Sequence, residues 1–170
     1  MFCPYTIRRS DGKLESVRFE KFTLLIDGIH KSISKIKIDT APGLGVKSVH
    51  VLWVYELYLH PEGLTAAEIA TFSMVDKSLV SREIETLKKN GYVISDNNGG
   101  KRGYNSRIKL TAAGVELAER IKDIAVSVQD AADVGIDRDE LESFYATLEK
   151  LYANFAAISS SDLCSQHNLK

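Results

Sequence analysis

The sequence has 170 residues, 44% of them hydrophobic, and a formal net charge of −1. That length suits one domain, or one small domain with helical extensions, and that apolar content supplies an ordinary buried core. No run of about 18 apolar residues occurs, so no transmembrane helix is expected; the opening MFCPYTIRRSDG lacks the apolar centre of a secretory signal, and the chain reads as cytoplasmic. Cys3 and Cys164 lie near opposite ends without a CxxC pair, which speaks against a disulfide scaffold.

In chain order, Phe19, Phe22, Leu25, Ile26, Ile29, Ile33 and Ile36 recur at helical spacing. They predict an amphipathic helix over about 19–38, broken by TAPGLG at Thr40–Gly45. Lys47 to His60 is apolar on most sides and reads as a central core helix. In LTAAEIATF, Thr65 and Glu68 form a capping box that starts a short helix ending near Ser73. Asp76 caps the next, which turns Leu79, Val80, Ile84 and Leu87 inward and stops at Gly91. Two short helices joined by so short a turn make a helix-turn-helix. YVIS and SRIKL then read as strands, with the Asn- and Gly-rich DNNGGKRGYN as a long basic hairpin tip, a wing. Thr111 caps a helix with Val115, Ala118, Ile121, Ala125 and Val128 inward. Asp137 and Glu140 form a second capping box. The last helix carries Leu141, Phe144, Tyr145, Leu148, Leu151, Tyr152 and Phe155 close to a coiled-coil seam. The fold class is mainly α with a small β-hairpin (α+β).

The net charge hides a segregation. Residues 76–111 hold eight cations against four anions, a local balance of +4, and residues 112–170 hold five cations against eleven acids, a balance of −6. A polyanion feels the nearest patch within about 10 Å, so the basic segment is what matters for a nucleic-acid partner. The second helix of a helix-turn-helix is the one that enters the DNA major groove. Here it offers Lys77, Ser78, Ser81 and Arg82 in its first half, where base edges and phosphates would lie. Arg82 has the fork to grip a guanine. Lys101, Arg102 and Arg107 of the wing suit a minor groove or backbone. Thr65, at the start of the preceding helix, joins this candidate DNA-binding set. An ordinary solvated helix face is the bland alternative. Glu83 and Glu85, on or beside that face, leave open a winged-helix module that binds protein instead.

The order of helices, LTAAEIA, DKSLVSREIETLKKNGYV, hairpin and IKLTAAG resembles the MarR family of multiple antibiotic resistance regulators, most clearly over residues 47–118. The resemblance implies a homodimeric transcription regulator with intertwined terminal helices. It carries DNA contacts over to Ser78, Ser81, Arg82 and the wing. It also implies a small-molecule effector between the dimer helices and the DNA-binding lobe, near His30, Trp53, Tyr55 and Tyr58, although those aromatics equally suit a core. The family wing commonly carries Asp-x-Arg; here Asp96 is kept but a glycine-rich insert precedes Lys101 and Arg102, leaving the wing-tip role open among Lys101, Arg102 and Arg107. Some relatives sense oxidants by cysteine, but neither Cys3 nor Cys164 has a fixed cationic neighbourhood.

The expected division is thus an N-terminal segment and dimerisation helix over 1–45, a winged helix-turn-helix DNA-binding lobe over 46–112, C-terminal dimerisation helices over 113–160 and a flexible tail over 161–170. The expected function is a regulator, a repressor, on double-stranded DNA with an inverted-repeat operator. No cofactor is expected: the four histidines show no metal-ligand spacing, and neither a phosphate loop nor a GxSxG nucleophile is present.

Overall fold

The structure, a computed structural model, describes residues 14–96 and 106–158, with side chains from residue 18 onward. The elements are α1 (Leu14–Leu44), α2 (Ser48–Leu59), α3 (Ala66–Ser73), α4 (Lys77–Lys89), β1 (Val93–Ser95), β2 (Ile108–Leu110), α5 (Ala112–Ala132) and α6 (Arg138–Ala157). None of the described helices is long and apolar enough to cross a membrane. Two compact units divide the chain, one up to Ile124 and one from Ala125 on.

The core of the first unit forms where α2 meets its neighbours. Trp53, Val54 and Leu57 of α2 are buried with Ile69 of α3 and Val80 and Leu87 of α4. β1 and β2 pair antiparallel with Val93 opposite Leu110 and Ser95 opposite Ile108. A third, single-residue strand was not legible in the sequence: Leu64 exchanges backbone bonds with Ile108 at 3.0 and 2.8 Å. It ties the start of the helix-turn-helix to the root of the wing.

α1 runs past the expected break at Thr40–Gly45 and contains Pro42. A proline this near a helix end removes one backbone bond. Burial of Ala41 and Leu44 against the core holds the last turn in place. The stop is Gly45, at φ +71. Its N–H bonds the Pro42 carbonyl at 3.1 Å while the Val46 N–H bonds that of Ala41 at 3.2 Å. This is a Schellman closure, with glycine in the left-handed position.

Three further details differ from expectation. Asp76 has the extended backbone of a cap but makes no side-chain capping bond. On α5, Val115 and Ala125 point outward, and the buried stripe is Gly114, Leu117, Ala118 and Ile121. The stripe starts at a glycine, which has no side chain to mark it in sequence. Glu83 is buried, at 6% exposure, rather than on the outer face of α4.

The second unit contains α6, begun by the Asp137–Glu140 capping box at 2.9 and 3.1 Å. No residue of α6 is fully buried. Leu141, Leu148 and Leu151 are half-buried, and Phe144, Tyr145, Tyr152 and Phe155 are exposed. In α1, Phe19, Leu25, Ile29 and Ile33 are exposed too. These are the two seams predicted from the spacing, each uncovered in a single chain.

Candidate nucleic-acid interface

Thr65 opens α3: its hydroxyl accepts from the Glu68 N–H at 3.2 Å and its own N–H donates to the Glu68 carboxylate at 2.7 Å. α3 is capped at its C-terminus by Met74, a non-glycine residue in the left-handed region (φ 53), and α4 starts three residues beyond it at Lys77. That tight joint sets α4 against α3, with Val80, Ile84 and Leu87 inward.

The opposite face of α4 presents Lys77, Ser78, Ser81 and Arg82, all exposed and within two turns. The Ser81 hydroxyl donates to the Lys77 carbonyl at 3.0 Å, leaving its lone pairs outward. Glu85 is neutralised on this face by Lys88 at 2.8 Å, which removes the carboxylate that would repel phosphate.

At the wing root, Asp96 pairs with Lys109 at 2.9 Å. The Arg107 carbonyl accepts from the Asp96 N–H at 2.9 Å, and its guanidinium donates to the Gly63 carbonyl at 2.6 Å. Arg107 is therefore anchored at the base of the hairpin, beside the Leu64 bridge, with its side chain still at the surface. Lys101 and Arg102 lie outside the described residues, as do Cys3, Cys164 and the tail.

The four residues expected near an effector separate by environment. Trp53 is 1% exposed and belongs to the core. Tyr55 and Tyr58 are half-buried and pack against that core, and His30 is exposed on α1. Trp53 thus offers no open face within the chain.

A polar cluster was missed. Glu83, on the inner side of α4, accepts from Lys47 Nζ through both oxygens, at 3.0 and 2.8 Å, and bonds His50 Nε2 at 3.0 Å. The His50 Nδ1 accepts from the Lys47 backbone N–H at 3.4 Å, so the ring proton sits on Nε2 and is donated to Glu83. The Lys47 ammonium holds the Glu83 carboxyl below its ordinary value against the opposing effect of burial, and His50 adds to this. Burial pushes His50 below its ordinary value and outweighs the upward pull of Glu83. One signal was available: Glu83 falls on the buried stripe, three residues after Val80 and four before Leu87, where a solvated acid has no place.

A helix-turn-helix, a paired hairpin after its second helix and a third strand before its first define a winged helix. Residues 44–103 match the model of the MarR family, a match that takes in the helix-turn-helix and β1. The chain is similar in fold to a MarR transcriptional regulator from Methanosarcina mazei Go1, with TM-score 0.70 and 20% identity over 82% of this chain and 99% of the other. It is as similar to a putative MarR family transcriptional regulator from Listeria monocytogenes, solved in complex with 26mer DNA, with TM-score 0.70 and 20% identity over 85% and 93% of the two chains. The Staphylococcus aureus MepR–DNA complex gives TM-score 0.68 and 18% identity over 79% and 97%. No curated protein matches the sequence.

Proposed function

We propose that the chain is a transcription regulator, a repressor rather than an enzyme, acting in the cytoplasm on double-stranded DNA. It reads an inverted repeat as a homodimer, with one α4 in each major-groove half-site and the wing on the backbone or minor groove. The observation that carries this reading is the outer face of α4, which gathers Lys77, Ser78, Ser81 and Arg82 in its first two turns while its inner face is fixed by the core. The two DNA complexes among the structural neighbours support it. Thr65, Arg107, Lys101 and Arg102 complete the proposed contact set. Residues 46–112 serve as the DNA-binding lobe, and 1–45 with 113–160 supply the dimer contacts, their exposed apolar seams being what a second copy covers. A small molecule that alters the dimer near His30, Tyr55 and Tyr58 releases the DNA. The protein-binding alternative loses its main support, because Glu83 is buried and Glu85 is paired.

The test is binding to a duplex that the protein selects from a randomised pool. Affinity should fall steeply between about 50 and 200 mM salt, because neutralised phosphates release counterions. Arg82→Ala should weaken the selected duplex and relax preference at one base pair per half-site, by about 1–3 kcal/mol. Arg102→Ala should weaken all sequences alike and flatten the salt slope by about one unit. Salt-insensitive binding, or no selected sequence, refutes the reading.

A further inference from the structure

We propose that Glu83 is a positioning residue for base readout, and that Lys47 and His50 are the clamp through which the start of α2 fixes the roll of α4. This rests on the DNA reading above and names what sets its specificity. Val80, Ile84 and Leu87 on the inner face of α4 belong to the apolar core cluster. Such packing is non-directional and fixes the roll of a helix through shape alone. Glu83 is different. Its carboxylate receives three bonds, at 2.8, 3.0 and 3.0 Å, from two side chains at the N-terminal end of α2. Those bonds are directional, and a rotation or shift of the helix stretches or bends them, most of all the one from the buried His50 ring.

The place of the clamp matters as much as its geometry. Glu83 follows Arg82 directly and lies two residues beyond Ser81, so it acts within the turn that carries the proposed base contacts. A bidentate arginine–guanine contact requires its fork to meet two acceptors at once. A small rotation of α4 about its axis moves an outward side chain by more than that contact tolerates.

A stability role alone accounts poorly for the cluster. Burying a carboxylate carries a desolvation cost, and apolar residues of similar volume serve stability as well or better in many proteins. What a buried, directional pair supplies is a single registered arrangement, as a lone polar residue does in a coiled-coil seam. His50 fits that role. Its ring is 1% exposed and is oriented on one nitrogen by the Lys47 backbone and on the other by Glu83. Lys47 completes the clamp from a side chain that is 58% exposed, so its removal need not disturb the core.

The experiment compares Glu83→Gln, Lys47→Ala and Lys47→Arg with the full-length wild type. Each is titrated onto the duplex selected by the wild type and onto a scrambled duplex of equal length. Glu83→Gln and Lys47→Ala should lower the ratio of selected to scrambled affinity about tenfold, the order of one lost base contact. Scrambled-duplex affinity and the salt slope should stay as they were, and Lys47→Arg should restore the ratio. A purely structural role would shift the thermal midpoint and leave the ratio unchanged, which overturns the inference. If Lys47→Ala weakens both duplexes equally and flattens the salt slope, Lys47 is a phosphate contact and the inference is also overturned. Should Glu83→Gln not fold, the Lys47 pair carries the test alone. A wild type that selects no duplex overturns the DNA reading and this inference with it; a wild type that selects one, beside variants that keep its ratio, overturns the inference only.

Discussion

Arg82 and Glu83 are adjacent in the chain, yet one is exposed and the other is 6% exposed. The step of 100° per residue on a helix separates them. The exposure of Arg82 was legible because Val80, Ile84 and Leu87 mark the opposite, apolar face of the helix. Glu83 was not, because its partners lie 33 and 36 positions upstream, and no local spacing announces them. The cluster carries a pH dependence of definite sign. His50 is lowered from 6.5, so below that pH the unfolded chain takes up a proton that the folded one resists. Stability is full above about pH 6.5 and falls as pH drops through the window beneath it. Glu83 is lowered from 4.5, so its contribution is present above 4.5 and is lost as pH falls further. Both effects favour the folded state at neutral pH. Urea midpoints of the wild type should therefore decline from pH 6.5 downward, and His50→Gln should lose the upper part of that decline. An identical slope in the variant would assign the acid sensitivity to other groups.

Among the elements, the two capping boxes were legible, while the Asp76 cap and the ends set by packing were not. The Thr65–Glu68 and Asp137–Glu140 boxes occur as their spacing predicts, since a capping box is a local contract between residues three apart. The end of α1 is decided by burial of Ala41 and Leu44, which lies outside any local window. The strand at Leu64 is a single residue and has no periodicity to read. The α5 stripe was displaced because its first member is Gly114. That glycine is required: a side chain there would overlap the Tyr92 carbonyl and crowd Leu110. Gly114→Ala should therefore destabilise the wing root by about 1–3 kcal/mol, the usual cost of overpacking, with the upper end expected because backbone must move. A thermal midpoint within a degree or so of the wild type would show that α5 can shift away freely.

For the whole molecule, the exposed apolar seams are the dominant fact. Phe19 is 63% exposed and Tyr152 is 66% exposed, and rows of large exposed apolar side chains of this kind mark interaction surfaces. Removing residues 138–170 should yield aggregated or unfolded protein, and a well-folded monomer from that truncation would refute the proposed dimer. A two-fold dimer also dictates the symmetry of its site. Half-site centres should lie about one helical turn, roughly 10 bp, apart. Inserting about five base pairs between them turns one half-site to the far side and should abolish tight binding. Unchanged affinity would mean that each lobe binds alone.

The Schellman closure at Gly45 makes the joint between α1 and α2 a stiff elbow. Only Gly45, Val46 and Lys47 separate the two helices, and three residues span at most about 10 Å. The first two are bonded back onto α1, and the third grips Glu83. A displacement of α1 is thus passed directly to the start of α2, to which Glu83 of α4 is bonded. Thermodynamic reciprocity then applies: whatever factor self-association adds to the grip on a two-site duplex, that duplex must add to self-association. On the proposed dimer and inverted repeat, one joint then links self-association to the spacing of the half-sites.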